Sequence, residues 1–537
     1  MTNNRGDHST GAAAGRAPQN PTAGPQGTAG AASASTTPAP GSPTATAERI
    51  DPTQAAQETY DVIIIGAGTS GLNIARELAA AGLTVLGLEA GKRYDRHTYP
   101  RTEVDSSSQL FWGGGVELTI DAGLGLLRPK AVGGGSIVNQ ALMDRFDDVA
   151  FSSWRDQSGV SWLNEDDLAD YYDRAEGNMI LKNVPEQWRN GNAKNFAEGF
   201  DANGYRYAPL RRGEADCRFE DGNCCVECLS GCGIDSKQST AITALPAAEK
   251  HGFHLIDCAE ARTITEHPDR VTVTTRVPAD STPKGRRGFG KPTYLEPHVE
   301  RTFTARRVVL ASGAIGNTAL LLRSGYGKQL PDLGKNFFTH PQYMNLGRYA
   351  EDVRAFAGPL QNYKSDDPTF RRQGFKLENV FAGPGNIALL LPGFGARHAE
   401  IMQDFPRLGC IEVCVRDTNP GEITINRKGN PVVKKKLNRE DARRRDTGMA
   451  AIRNIFNATG AEEILHGQFG IGLHLMGGLG MGASAKQGVV SPEFTLYGSQ
   501  RILAADSSIF PNAPGINPAL TIAALSLKAA DQIIAAS

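Results

Sequence analysis

Residues 60–91 read YDVIIIGAGTSGLNIARELAAAGLTVLGLEAG. Asp61 to Ile65 is a short apolar run of the kind that forms a buried parallel strand. Gly66, Gly68 and Gly71 follow in G-x-G-x-x-G spacing and open a helical stretch, Leu72 to Ala80. Gly66 permits a tight turn, Gly68 lets backbone N–H groups approach a pyrophosphate, and Gly71 lets helix and strand pack closely. The helix N-terminus then faces the negative charge. A second strand, Thr84 to Leu88, ends in Glu89, 18 residues after Gly71. An acid at that place suits a ribose hydroxyl and disfavours a 2′-phosphate. Strand, glycines, helix, strand and acid in register predict an α/β dinucleotide-binding half.

A chain of 537 residues is too long for one simple core, so a second domain is expected. Lys and Arg number 57 against 58 Asp and Glu, which gives no global electrostatic case for nucleic acid or an anionic membrane. No apolar run reaches the ~18 residues of a membrane span. Residues 1–56 are rich in Ala, Gly, Pro, Ser and Thr, with no aromatic residue, and read as a disordered tail. The tail has neither the apolar stretch of a secretory signal nor a twin arginine, and a cytoplasmic location follows.

Further along, KAVGGGSIVNQALMDR at 130–145 is a second glycine-rich stretch, with Ser136 and Asn139 after Gly133–Gly135. VTVTTRV at 271–277 alternates as a strand. RVVLASGAIGNTALLLRSGYG at 307–327 repeats strand, glycine turn and helix, and LGKNFFTHP closes at Pro341. Strands are expected at GCIEVCVRD, 409–417, and EITIN, 422–426, and a helix around 438–458, in a region read as a second domain on an antiparallel sheet. GLHLMGG at 472–478 and ADSSIFPNAPGINPALT at 505–521 then supply one histidine, an aspartate and asparagines in turn-rich sequence.

Taken in this order, the motifs resemble the glucose–methanol–choline (GMC) family of flavin oxidoreductases over residues 58–535. The resemblance implies an α/β fold, with a Rossmann-like FAD-binding domain and a second domain built on an antiparallel sheet covered by helices. The implied division is 57–150, 235–341 and 485–537 for FAD, and 151–234 with 342–484 for substrate. It further implies that Gly66, Gly68, Gly71 and Glu89 hold the ADP half of FAD. Gly134, Ser136 and Asn139 are implied along the ribityl–isoalloxazine region, and Ala261 near the adenine. Asp506 is implied near the ribityl or pyrophosphate, and Asn517 with Pro518 at the flavin pyrimidine edge. Some relatives attach FAD through a histidine upstream of the glycine pair; Arg128 stands there, so a non-covalent FAD is expected. Two positions depart from the family pattern: Gly135 replaces the usual Ser, and Asn317–Thr318 replace a small hydroxyl/proline pair.

Oxidising an alcohol requires removal of the hydroxyl proton and acceptance of a hydride, the latter by the flavin. His474 is the candidate base, since a neutral imidazole accepts a proton near neutrality. Asn517 matches the family's second polar residue and is expected to donate to the substrate oxygen. His340, the competing histidine, reads as structural, holding a turn before Pro341. Cys410, Glu412, Cys414 and Arg416 share one face of a strand. Glu412 then either binds a cationic or hydroxylated substrate or, more plainly, belongs to a solvated ion pair.

Cys217, Cys224, Cys225, Cys228 and Cys232 fall within sixteen residues, C-x6-CC-x2-C-x3-C. An iron–sulfur cluster or zinc on Cys224, Cys225, Cys228 and Cys232 is one reading, and buried thiols or disulfides the other. The spacing reproduces no ferredoxin pattern.

The expected activity is FAD-dependent oxidation of an alcohol to an aldehyde or ketone. The substrate is read as a small, sugar-like primary alcohol of the paromamine 6′-hydroxyl type, in antibiotic biosynthesis, with O2 or an electron-acceptor protein taking the electrons. The alternatives are a sugar dehydrogenase passing electrons through a cysteine-bound cluster to a partner, and a non-catalytic flavin-binding module.

Overall fold

In the computed structural model, residues 50–217, 225–279 and 298–537 are described, and they belong to one compact unit. The expected first strand runs Thr59–Ile65, its last four residues buried. It lies parallel to Val85–Leu88 on one side, Val62 opposite Val85, and parallel to the end of His298–Leu310 on the other, Ile65 opposite Leu310. His254–Ile256 extends the sheet beyond Val85–Leu88, and Ile502–Ala504 pairs parallel with Val308–Leu310. The start of His298–Leu310 turns antiparallel against Val271–Pro278, which pairs with Glu260–Glu266, giving seven strands. Thr69–Ala80 packs against the last helix, Ala519–Ala535, so both ends of the chain build this half.

A second sheet of nine strands centres on Pro341–Arg348, Leu408–Val415 and Phe375–Asn379, all antiparallel neighbours. Its strands alternate as the pleat requires. Ile411, Val413 and Val415 enter an apolar core with Ile452 and Ile455 of the helix Arg439–Ala458. That helix meets the sheet so closely at Gly448 that a Cβ there would stand 2.3 Å from Val413. Glu412 and Cys414 face the other way, beside Met344 and Gln342.

Two expected boundaries move. The tail does not reach residue 56: Asp51 accepts the N–H of Thr53 and caps a turn of helix, Pro52–Ala55, whose Ala55 is buried. The remainder of that expectation, residues 1–49, lies outside the described residues. The segment 151–177, expected with the substrate half, contributes Phe151, Trp154, Leu168 and Tyr172 to the core of the first half, and Glu165–Gly177 packs on Ala519–Ala535. Among the described residues no helix is long and apolar enough to cross a membrane.

Candidate active site

A cavity of about 1190 Å³ runs between the two halves of the unit. Its floor is the first glycine motif. Gly66 has φ +103, and a Cβ on Gly71 would stand 1.9 Å from the Gly66 carbonyl oxygen, so no side chain fits there. Gly66 and Gly68 line the cavity, whereas Gly71 serves the contact of helix with strand. The helix that begins at Thr69 has no side-chain cap, which leaves its first N–H groups for an anionic ligand. The second glycine stretch lies against the first: Gly133 donates its N–H to the carbonyl of Ala67 at 2.7 Å, and a Cβ on Gly134 would be 2.9 Å from Gly68 Cα. An uncapped helix end and two glycine loops in contact fit a dinucleotide.

The other expected FAD residues divide. Glu89 lines the cavity, accepting the N–H groups of Ala67 at 2.8 Å and Gly91 at 2.7 Å; burial raises its carboxyl above the usual range. Asp506, buried and raised by burial, accepts from Gly313 N at 2.6 Å and from the Asn317 amide at 2.9 Å. Asn317 also accepts the N–H of Ser312, so its departure from the family pattern completes a clamp on the third glycine turn. Gly134, Asn139, Ala261, Asn517 and Pro518 line the cavity.

Ser136 corrects the expectation. Its hydroxyl donates to the Gly133 carbonyl at 2.6 Å and meets Thr240 Oγ1 at 3.1 Å, outside the cavity wall, tying the turn together from behind. Arg128 lines the cavity, paired with Glu117 at 2.6 Å and lying 4.4 Å from the centre of the Trp112 ring.

His474 and Asn517 occupy the wall of this same cavity. Nδ1 of His474 stands 3.0 Å from Nδ1 of His340, and the buried His340 accepts the N–H of Gly515 at Nε2, 2.9 Å away. His340 thus does more than hold a turn. A neutral His340 whose Nε2 accepts must carry its proton on Nδ1, and it gives that proton to Nδ1 of His474. The remaining proton of a neutral His474 lies on Nε2, the nitrogen without a protein partner. The resting imidazole therefore meets the cavity as a donor, whereas a base needs Nε2 free. Freeing it requires the pair to exchange tautomers against the Gly515 N–H. Burial, and then the charge of Lys376, lower the His474 pKa to about 3, so the ring is neutral at pH 7.

Lys376, unnoticed in the sequence, donates from Nζ to Oδ1 of Asn517 at 2.6 Å and pairs with Glu378 at 2.8 Å. Cross-strand register places Gln342, Cys414 and Lys376 in one row, and Met344, Glu412 and Glu378 in the next. Gln342, Met344, Glu378 and Glu412 line the cavity. Glu412 belongs to no solvated pair: it is 1% exposed, and burial, followed by the charge of Glu378, drives its carboxyl far toward the protonated form. The signal for this polar row was present in FKLEN at 375–379, where Lys376 and Glu378 are two apart in a strand and share a face.

Of the cysteine cluster, Cys224 and the side chain of Cys225 lie outside the described residues. Cys228 and Cys232 carry no disulfide, and no metal-holding group occurs among the described residues. A hydrogen bond from Cys228 lowers the Cys232 thiol to about 6.

GMC oxidoreductase models match residues 107–342 and 417–526. An uncharacterized GMC-type oxidoreductase of Mycobacterium tuberculosis is 29% identical over 504 residues, 88% of this chain and 76% of that protein. A long-chain-alcohol oxidase of Arabidopsis thaliana is 25% identical over 86% of this chain and 65% of its own length. The crystal structure of pyridoxine 4-oxidase from Mesorbium loti superposes with a TM-score of 0.65 at 16% identity, covering 88% of this chain and 99% of that one, and has the same fold. With one family model matched over the stretch that holds Gly134 and Asn139 and the other over the stretch that holds His474 and Asn517, the chain belongs to the GMC oxidoreductase family.

Proposed function

We propose that the protein oxidises a primary alcohol to an aldehyde with non-covalent FAD, on a small, sugar-like substrate. The observation that carries this reading is the placing of His474 and Asn517 on the wall of the cavity whose floor is the uncapped helix end at Gly68. The flavin, when bound, accepts the hydride. Asn517 donates its amide N–H to the substrate oxygen. His474 receives the hydroxyl proton at Nε2 once its pair with His340 has exchanged tautomers. Gly66, Gly68, Gly134, Glu89 and Asp506 hold the dinucleotide, and Arg128, standing where relatives form a covalent link, leaves it unattached.

The sugar-like assignment is supported by the polar wall that the second sheet presents. Gln342, Gln361, Glu378 and Glu412 line the cavity. Hydroxyl groups satisfy such donor and acceptor atoms; methylenes do not. A second reading, an aliphatic alcohol, is favoured by a different stretch of wall, Val380, Phe381, Leu389 and Leu390, and by the long-chain-alcohol oxidase among the relatives.

Anaerobic mixing of the FAD-loaded protein with paromamine, glucose, pyridoxine, choline and long-chain alcohols decides between them. Bleaching of the flavin by polyols alone supports the first reading, and by long-chain alcohols alone the second. A flavin that no alcohol bleaches returns the chain to a binding module. Oxygen uptake recorded alongside assigns the acceptor. Iron and labile-sulfide analysis tests the cluster-bearing dehydrogenase, which falls if neither is present.

A further inference from the structure

Asn517 can act on a substrate oxygen only if its N–H2 rather than its carbonyl faces the cavity. An amide has both, and nothing in its own shape selects one. Lys376 selects. Its ammonium has three donors and no acceptor, so the amide atom 2.6 Å from Nζ is the oxygen, Oδ1. A flipped amide would set N–H2 against N–H3. Nδ2 is left for the cavity that Asn517 lines.

We propose that Lys376 is a positioning residue of the oxidation, fixing the Asn517 amide with Nδ2 toward the substrate oxygen. The inference rests on the reading of the site as one that oxidises an alcohol. Lys376 and Asn517 are 141 residues apart and come from different halves of the unit, the lysine from the strand Phe375–Asn379 and the asparagine from the turn before Ala519–Ala535. Both are buried, at 8% and 7% exposure, so the bond is shielded from water, where a charge-assisted hydrogen bond is strongest.

The lysine is itself held charged. Burial opposes its charge, but Glu378, 2.8 Å away, together with Asp144 outweighs burial and keeps the ammonium protonated. Glu412, opposite Glu378 in the ladder, is the neutral member of the carboxyl pair. Of the ammonium's three donors, one meets Glu378 and one meets Asn517. The same charge acts on His474, whose ring faces His340 and Lys376, while Arg371 and Arg416 act on His340 behind it.

Three variants of the full-length FAD protein test the assignment. Lys376→Met removes the donor and the charge, Lys376→Gln keeps a donor without charge, and Lys376→Met/Glu378→Gln removes both charges if the unpaired carboxylate prevents folding. The limiting rate of flavin reduction by alcohol should fall about 10²-fold in Lys376→Met and in the double variant, with a change in KM within about threefold, as for loss of one preorganised donor. Lys376→Gln should recover part of that rate. In an Asn517→Leu background, Lys376→Met should cost nothing further, because the lysine acts through the amide.

A readout independent of turnover is the titration of His474 in 15N-histidine-labelled protein, which should move to higher pH in Lys376→Met. Full additivity with Asn517→Leu, or an unchanged rate together with an unchanged titration, overturns the proposal. A wild-type protein whose flavin no alcohol reduces overturns instead the reading of the site, and the histidine titration still decides whether Lys376 acts there.

Discussion

The Nδ1 atoms of His340 and His474 face each other at 3.0 Å, and the N–H of Gly515 closes the far side of His340 at 2.9 Å. Three nitrogens and one backbone donor leave a neutral pair only one arrangement: protons on Nδ1 of His340 and Nε2 of His474. Nitrogen shifts of labelled histidine should show those two tautomers at pH 7, with neither ring charged. A His474 protonated on Nδ1 in the resting protein refutes the arrangement.

The two rings also make stability depend on pH in a stated direction. His474 has a folded pKa of about 3 against an ordinary 6.5, and burial, followed by the charge of His474, also lowers His340. The unfolded chain therefore binds more protons between these values, and stability falls as pH drops from 6.5 toward 3. His474→Asn should unfold with a shallower loss of Tm over that range than the wild type. Parallel curves would show that the ring is not held neutral.

At the site itself, His474→Asn retains a donor and lacks a base, while His474→Ala lacks both. If the imidazole takes the hydroxyl proton, both variants should reduce flavin about 10²–10⁴-fold more slowly while still binding FAD. An asparagine variant close to wild type would assign the ring a donor's role alone.

Glu412 gives a second pH signature with the opposite sign. Its folded pKa lies well above the ordinary 4.5, so the unfolded chain loses this proton first, and the group's contribution to stability is lost as pH rises above 4.5 toward the folded value. Glu412→Gln, which cannot ionise, should gain in Tm relative to wild type as the pH is raised from 4 to 8 (about the range over which such a shifted carboxyl titrates). A constant difference across that range counts against a buried neutral acid.

Gly71→Ala should fail to retain FAD. The added methyl would stand 1.9 Å from the Gly66 carbonyl, so helix and strand must part where the dinucleotide is expected. Overpacking of this kind costs about 1–3 kcal/mol or more in stability. Flavin absorbance after gel filtration measures it, and a variant with full flavin content removes the close-packing account.

The two ends of the site were legible in the sequence because their information is local. Gly66, Gly68 and Gly71 do their work within one turn, and the strand–helix–strand pattern to Glu89 is fixed by periodicity alone. His474 and Asn517 stood out through the resemblance of HLMGG and NPALT. What sequence did not carry was partnership between distant residues. Lys376 reaches Asn517 only because the second sheet aligns its strand with Leu408–Val415, and FKLEN by itself reads as an ordinary amphipathic strand. Ser136 illustrates the reverse: its place in a glycine-rich motif suggested a ligand contact, but the turn it follows needs that hydroxyl for itself. Phe151 and Trp154 pack in the core of the first half, which their sequence does not reveal, because a helix's apolar stripe says that it is buried, not against which core.

The strand Ile502–Ala504 lies against Val308–Leu310, and Ala519–Ala535 covers Thr69–Ala80. During translation the glycine turn at Gly66 therefore emerges long before its neighbours exist. Until the ribosome has delivered the far end of the chain, the central strand His298–Leu310 keeps an open edge at Val308–Leu310 and the first helix an uncovered apolar flank. Cofactor capture is then a late event in the life of the nascent polypeptide, and any chain stopped short of Ile502 leaves the edge at Val308–Leu310 bare to other molecules.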